Sequence, residues 1–241
     1  MAPSSPAERV KALVLAARQA ARGLTLRALL PLMVKRQALP DLLRSLDRPS
    51  APGGDDPRRL AAQLFRPLRL WPTTCLYRAL GSYALLRAAG QEVRFVIGVR
   101  KAGGELQAHA WLEREGTTIV GALRDEPPYT VAYAWPADPA LQRSHPPGER
   151  SPGITRSDAA VLTELPDGTG VLLHLQTGYY FTLNATGVRA WKLLDAGFQN
   201  PAELASALSA QFPEIEPGLV RLDVEALLAD LDRESLIFKE L

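Results

Sequence analysis

The sequence predicts an α+β protein built from two domains. Helical patterns followed by strand patterns occupy the part before residue 150, and three strand patterns followed by three helical patterns come after it. Between them, residues 134–153 hold five prolines and little periodic apolar signal, which is typical of a linker. The expected segments are an amino-terminal helical segment (1–47), a first folded domain (57–135), a Pro-rich linker (136–153) and a second folded domain (154–241).

Composition and charge narrow the function classes. The one cysteine, Cys75, excludes an internal disulfide framework and a thiolate metal cluster, and predicts a reducing, cytoplasmic setting. Apolar runs are far shorter than the ~18–20 residues of a membrane span, and no secretory signal pattern is present, so membrane association is not expected. Residues 1–150 carry 22 Lys and Arg against 13 Asp and Glu, whereas residues 151–241 carry 6 against 13.

Two helical patterns precede the first folded domain. Residues Ala7–Gly23 and Leu24–Ser45 show apolar side chains at helical spacing with Arg and Lys between them, and Pro31 and Pro40 are expected to interrupt the second. A basic amphipathic pair of this kind fits a membrane surface, but a stripe of Leu and Val more often faces a protein core. We therefore expect both helices to pack on their own domain.

The first domain begins with a helix that carries the cysteine. Thr73 or Thr74 is a suitable N-cap for a helix over Leu76–Ala89, with Gly90 at its end. Cys75 would then lie in the first turn, where the partial positive charge of the helix N-terminus favours a thiolate. Three strands are expected next, at Glu92–Val99, Leu106–Glu113 and Thr117–Val120, with residues 101–105 as the first turn.

The second of these strands carries His109. A helix-borne thiol and a strand-borne imidazole are the groups that a cysteine nucleophile needs, with Cys75 attacking and His109 moving the proton. The Cys75 backbone N–H at the helix start is also a candidate donor to an oxyanion. A lone cysteine and a lone strand histidine are more often structural, so the spacing alone favours the pair only weakly.

No carboxylate is an obvious third member of this site. Hairpin geometry places Gly121 or Ala122 opposite His109, and Glu113, on the same strand face, is ~13 Å away at ~3.3 Å per residue. Asp125 is the nearest downstream carboxylate, and the strand must bend back to bring it in. A dyad oriented by another acceptor and a displaced triad with Asp125 therefore rank equally.

Local motifs over residues 60–121 resemble a known family. They are Cys75-Leu76-x-Arg78-Ala79-Leu80, Leu85-Leu86-Arg87-x-x-Gly90, Ile97-Gly98-Val99-Arg100-Lys101 and His109-Ala110-Trp111-Leu112-Glu113-x-x-Gly116. In this order they resemble the transglutaminase-like leader peptidases of lasso-peptide biosynthesis, the B proteins. The resemblance implies a papain-like cysteine protease with Cys75 as nucleophile and His109 as general base. It implies no metal or organic cofactor, and a partner cyclase that resembles asparagine synthetase and uses ATP. Many members of that family carry an aspartate about where this chain has Gly121.

The second domain is expected to be a winged helix-turn-helix. Strands at Ala160–Leu165, Val171–Leu175 and Tyr179–Leu183 precede helices that start at Asn184, Pro201 and Leu219, the second running to Phe212. This shape often binds DNA, but phosphate neutralisation needs clustered positive charge and residues 151–241 are net acidic. We therefore expect no nucleic-acid partner.

A long motif in this domain resembles a second family. It reads Val171-Leu172-Leu173-x-Leu175-x-Thr177-Gly178-x-Tyr180-Phe181-x-Leu183-Asn184-x-Thr186-Gly187-x-x-Ala190-Trp191-x-Leu193-Leu194. It resembles the precursor-recognition element typified by the peptide chaperone of pyrroloquinoline quinone biosynthesis. The resemblance implies that a leader peptide adds as a β-strand to an open sheet edge, beside the last helix. The leader-binding residues would be Tyr179, Tyr180, Phe181, Thr182 and Leu183 on the edge, and Leu227 and Leu231 on the groove wall.

Together these observations predict a leader peptidase with a fused recognition element, whose partner is the leader region of a precursor peptide. The recognition element follows the protease here, whereas fused members are expected to have it first. The main alternative is a catalytically degenerate scaffold that binds the precursor and presents it to the partner cyclase. A third possibility is transfer of the acyl group to an amine in place of water.

Overall fold

A computed structural model describes residues 25–26, 28–49, 74–121, 128–136 and 153–240. The chain divides into two compact units, residues 1–138 and 139–241, with the division inside the predicted linker. The predicted helix Ala7–Gly23 lies outside the described residues.

Two helices of the first unit are described over their full length. Helix α1 spans Leu39–Leu46 and has Pro40 in its first turn, so a new helix begins where an interruption was predicted. The other predicted interruption is wrong, because Pro31 lies within residues 28–36, which are helical.

Helix α2 spans Cys75–Ala88 and ends as expected at Gly90, whose φ is +74°. The Gly90 N–H donates to the Arg87 carbonyl and the Gln91 N–H to the Leu86 carbonyl, which satisfies two of the last carbonyls of the helix.

The first unit contains a four-stranded antiparallel sheet. Its strands are β1 (Arg94–Ala102), β2 (Glu105–Arg114), β3 (Thr117–Val120) and β4 (Thr130–Trp135), arranged in the order β3-β2-β1-β4. Three of the strands were predicted, although β1 and β2 extend into the predicted turn and leave only Gly103 and Gly104 between them. Strand β4 was not predicted, and its last two residues fall within the Pro-rich stretch 134–153.

The two faces of this sheet differ in what covers them. Tyr133 and Trp135 of β4 point to one face. On that face the Arg44 guanidinium of α1 lies 5.8 Å from the Trp135 ring centroid, and the Tyr83 hydroxyl of α2 lies near the same indole. The opposite face carries a separate apolar cluster of Val96, Trp111 and Ala134, against which Tyr129 and Val131 pack.

The second unit contains two small antiparallel sheets and three helices. Strands β5 (Gly153–Arg156) and β9 (Ile237–Glu240) pair with each other, and β6 (Ala160–Glu164), β7 (Gly170–His174) and β8 (Tyr180–Leu183) form a three-stranded sheet in chain order. The helices are α3 (Ala185–Asp195), α4 (Pro201–Ser209) and α5 (Pro217–Arg233).

Local signals placed most of these elements correctly. Asn184 caps α3 by accepting a hydrogen bond from the Gly187 N–H at 2.7 Å, and Asn200 caps α4 in the same way. Helix α4 ends three residues earlier than predicted, at Ser209, and β5 begins inside the predicted linker. Trp191 is 1% exposed and belongs to the core of this unit.

Candidate functional site

Cys75 is the first residue of α2. Thr74 caps the helix, because its Oγ1 accepts a hydrogen bond from the Tyr77 N–H at 3.4 Å. Thr74 is one of the two residues, Thr73 and Thr74, that were predicted as the N-cap. The thiol is partly exposed and the cysteine is free. The sequence therefore places the nucleophile candidate at the positive end of a helix, as predicted.

His109 lies in the middle of β2, with its imidazole partly buried. Its Nε2 lies 3.4 Å from the carbonyl oxygen of Gly121, just beyond β3. Because a carbonyl only accepts hydrogen bonds, this contact assigns the proton of the neutral ring to Nε2 and leaves a lone pair on Nδ1. The register places Gly121 beside Trp111, because Val120 pairs with Leu112, so the expectation that Gly121 lies opposite His109 is wrong; Gly121 reaches the imidazole through its carbonyl.

Two aromatic side chains flank the His109 imidazole. The Trp111 ring is nearly parallel to it, at 16° with centroids 6.3 Å apart, and the Tyr129 ring lies 5.7 Å away. The Trp111 and Tyr129 centroids are 6.1 Å apart, so the three rings form one cluster. This cluster restricts the orientation of the imidazole.

The elements that carry Cys75 and His109 are neighbours, since α2 packs mainly against β2. The two side chains nevertheless make no hydrogen bond with each other in the described part of the chain. Alternation along β2 directs His109 to the face that carries Trp111, whereas Tyr83 of α2 contacts the face that carries Trp135. The structure therefore brings the two elements together without a hydrogen bond between the thiol and the imidazole in the described residues.

The structure describes only one of the three other candidate side chains for the cysteine–histidine site. Asp125 and His145 lie outside the described residues. Glu113 is engaged elsewhere, because its carboxylate pairs with Arg94 at 3.2 Å and accepts from the Trp111 indole N–H at 3.4 Å. Glu113 therefore holds the ring beside His109 and does not contact the imidazole itself.

The predicted peptide-binding edge is the outer strand of the three-stranded sheet. Within the described residues, β8 pairs with β7 on one side and with no strand on the other. The Tyr179 carbonyl accepts from the His174 N–H at 2.8 Å. Because backbone groups alternate in direction along an antiparallel strand, those of Tyr180 and Thr182 point to the open edge.

The side chains of the predicted leader site divide into exposed and buried members. Tyr179 and Tyr180 are 70% and 46% exposed, and Thr182 is exposed. Leu183 and Leu231 are buried in the core of the unit, where Phe181 and Leu227 pack against them at partial exposure. Leu183 and Leu231 therefore anchor β8 and α5 to the core and offer little surface to a peptide.

His174 has a structural role. It is 3% exposed, and its Nδ1 accepts a hydrogen bond from the Gln176 N–H at 3.3 Å in the turn after β7. The described residues contain no group of three or more His, Cys, Asp or Glu side chains placed to bind a metal ion. No helix in the described ranges is long and apolar enough to span a bilayer.

Sequence reasoning missed three residues around His109. Tyr129 precedes the unpredicted β4, and the Arg100 guanidinium, 8% exposed, lies 4.4 Å from the Tyr129 ring centroid. Gly98 is the register partner of His109, and a Cβ there would lie 2.6 Å from the Trp111 ring. A glycine within a strand pattern signals a close approach of another group, but that signal does not identify the group.

Comparison with protein families divides the chain in the same way. Residues 13–134, just over half of the chain, match the sequence model of the transglutaminase-like superfamily. Residues 169–237 match the sequence model of coenzyme PQQ synthesis protein D (PqqD). The predicted order, a transglutaminase-like domain followed by a PqqD-like domain, is confirmed.

Two solved structures are similar to about a third of the chain. A structure of TbiB1 in complex with the TbiA(β) leader peptide is 38% identical, and the match covers 34% of this chain and 93% of that one, with a TM-score of 0.32. A structure of lasso peptide synthetase B1 complexed with the leader peptide is 25% identical over 35% of this chain and 96% of that one, also with a TM-score of 0.32. No curated protein matches the chain.

Proposed function

The chain belongs to the transglutaminase-like superfamily, and on that basis we propose that it is a leader peptidase of lasso-peptide biosynthesis. The observation that carries this proposal is a capped cysteine helix packed against a strand whose histidine is bonded to a backbone carbonyl. A PqqD-like region in the same chain supplies the element for binding a precursor peptide.

The first unit would act as a cysteine protease. Cys75 Sγ attacks the scissile carbonyl carbon while His109 Nδ1 takes the thiol proton and then passes it to the leaving amine. Water, deprotonated by the same nitrogen, then releases the acyl group from sulfur. The Cys75 backbone N–H at the start of α2 would help to stabilise the oxyanion.

The Gly121 carbonyl would take the orienting role that a carboxylate has in a triad. Its contact with Nε2 fixes the tautomer in which Nδ1 is the base, and that is the requirement the third group meets. A neutral carbonyl stabilises the imidazolium less than a carboxylate does. A displaced triad that uses Asp125 is the alternative form of this site.

Catalysis requires the first turn of α2 and His109 to approach each other further. Catalytic hydrogen bonds are often long in the absence of substrate and shorten when substrate binds. We infer that precursor binding brings Cys75 Sγ and His109 Nδ1 into hydrogen-bonding distance.

The second unit would be a winged helix-turn-helix type of recognition domain that binds the leader by strand addition. In the part of the chain that the structure describes, the backbone groups of Tyr180 and Thr182 at the open edge of β8 have no strand partner and would pair with an extended peptide. The exposed Tyr179 and Tyr180 rings offer apolar area to its side chains. Holding the leader there raises the local concentration of the scissile bond at Cys75. The product would then pass to an ATP-dependent cyclase that resembles asparagine synthetase.

Cleavage is tested with purified protein and the precursor peptide encoded beside its gene. Mass spectrometry should detect free leader with the wild type and none with Cys75→Ala or His109→Gln, while Asp125→Asn separates the dyad from the displaced triad. Absence of cleavage by the wild type, both alone and with the cyclase, would refute the peptidase. A cross-linked or aminated product would instead indicate acyl transfer to an amine.

Leader binding is tested separately with a matched pair of edge variants. Thr182→Pro removes the backbone N–H at the open edge without removing a hydrogen bond to β7, whereas Thr182→Val keeps that N–H. Fluorescence anisotropy of a labelled leader should show at least tenfold weaker binding to Thr182→Pro and near-normal binding to Thr182→Val. Equal affinities for the two variants would exclude strand addition at β8.

A second candidate function is a binding scaffold that presents the precursor to the cyclase. It is favoured by the lack of a hydrogen bond between Cys75 and His109 in the described residues. A scaffold binds the leader through β8 and stimulates the cyclase equally well with Cys75→Ala. The cleavage and binding experiments together therefore separate the two functions.

A further inference from the structure

The structure assigns Tyr129 as a positioning residue for His109, an inference that rests on the proposed function. Tyr129 would hold the imidazole in the orientation in which Nε2 donates to Gly121 and Nδ1 keeps the lone pair of the base. It touches neither substrate nor sulfur in this role, so it acts through His109 alone.

The contacts around the imidazole support this role. His109 lies 5.7 Å from Tyr129 and 6.3 Å from Trp111 between ring centroids, and its Nε2 contact with Gly121 is 3.4 Å long. A single hydrogen bond of that length leaves the ring free to rotate about χ2, because the terminal torsion of histidine is broad. Rings that pack against the imidazole restrict this rotation.

Tyr129 is itself held in place. The Arg100 guanidinium carbon lies 4.4 Å from the Tyr129 ring centroid, a cation–π geometry. Arg100 is 8% exposed, and its Nε donates to the Gln107 side-chain oxygen at 2.9 Å. The guanidinium is therefore fixed within the sheet, and it fixes the tyrosine ring in turn.

The sheet leaves room for this arrangement at Gly98. Gly98 is the register partner of His109, and a Cβ there would lie 2.6 Å from Trp111 Cη2 and 2.9 Å from Tyr129 Cβ. The missing side chain therefore lets both aromatic residues lie close to the strand beside the histidine. Glu113 secures the other ring by accepting the Trp111 indole N–H.

The direct test is the tautomer of His109, measured by ¹⁵N NMR of the imidazole ring at about pH 8, where free histidine is neutral. The His109 signals are assigned from the spectrum of His109→Gln. The wild type and Tyr129→Phe, which keeps the ring, should both show the Nε2–H form. Tyr129→Leu should show a mixture of the two tautomers.

The matched control is Tyr133→Leu, the same change four residues further along the chain, in β4 and on the opposite face of the sheet, where Tyr133 pairs in register with Ile97. Its His109 signals should equal those of the wild type. If Tyr133→Leu changes them as much as Tyr129→Leu does, the effect is general packing and the inference is overturned. Should Tyr129→Leu fail to fold, Arg100→Met tests the same support, and an unchanged tautomer there overturns it.

Kinetics give the second measurement. With the precursor peptide as substrate, Tyr129→Leu should lower kcat at least tenfold relative to the wild type and change KM by no more than about twofold. Tyr129→Phe should keep the kcat of the wild type. A wild type that cleaves nothing would refute the proposed function, whereas the tautomer would still decide the role of Tyr129. A wild type that cleaves, together with an unaffected Tyr129→Leu, would refute the positioning role alone.

Discussion

Adding one methyl group at Gly98 is the most informative perturbation of the first unit. The new Cβ would lie 2.6 Å and 2.8 Å from two Trp111 ring carbons and 2.9 Å from Tyr129 Cβ. Carbon atoms pack at about 3.5–4.0 Å, so the ring must shift by about 1 Å. Trp111 is 3% exposed and Tyr129 Cβ is next to the backbone, so neither moves away freely.

We expect Gly98→Ala to lower the free energy of unfolding by about 1–3 kcal/mol, the usual cost of overpacking a core. The matched control is Gly81→Ala in α2, where the nearest atom, Leu30 Cδ1, is 3.6 Å from the new Cβ. That substitution should instead raise stability by about 0.5–1 kcal/mol, because alanine is the better helix former.

Urea unfolding followed by tryptophan fluorescence measures both changes. Three of the four tryptophans, Trp71, Trp111 and Trp135, belong to the first unit, so its transition dominates the signal. The reasoning would be refuted by a Gly98→Ala protein whose midpoint and slope equal those of the wild type. It would also fail if Gly81→Ala were destabilised to the same extent.

Three further predictions concern packing and charge. Gly170→Ala places a Cβ 2.6 Å from Val188 Cγ2 and should cost the second unit about 1–3 kcal/mol in the same urea assay; an unchanged midpoint contradicts this. The Arg156 guanidinium is bonded to Asp195 and lies 5.2 Å from the Trp191 ring centroid. Asp195→Ala removes the carboxylate partner of this guanidinium and should lower the free energy of unfolding by about 1–3 kcal/mol. Breaking the exposed Arg221–Glu225 pair should lower it by less than about 1 kcal/mol. Burial raises the pKa of Tyr133 from its ordinary value of 10.0 to about 12, so stability should fall between pH 10 and pH 12, where the unfolded chain loses the proton first; Tyr133→Phe should flatten that part of a urea-midpoint profile.

Much of the site could be predicted because its signals are local. A Thr cap followed by an apolar run places Cys75 at the start of a helix, and a Gly-Gly turn between alternating residues places His109 within a strand. These features depend on residues close together in the sequence, and short-range rules describe them well. The hairpin count failed for Gly121, because the register shift between Leu112 and Glu113 places Gly121 beside Trp111 and only its carbonyl reaches His109.

The sheet edge shows where local reasoning stops. Alternation correctly predicted strand β8, but the predicted leader site included Leu183, which is buried, beside the exposed Tyr180 and Thr182. Leu231 likewise matched a groove position by its place in a helical pattern and lies in the core. Which side of an element is covered depends on partners that are distant in the chain.

The amino-acid sequence alone determined the order of the two domains, the capped cysteine helix, the strand that carries the histidine and the sheet to which a leader would add. Tertiary structure decided that a glycine carbonyl contacts the imidazole, that Tyr129 lies beside the imidazole with Arg100 against its ring, and that Tyr83 of α2 lies near Trp135. Helix caps and strand alternation depend on neighbours within a few residues. Contacts between β1, β2 and the start of β4 depend on register and on the irregularity between Ile97 and Gly98, which no local pattern specifies.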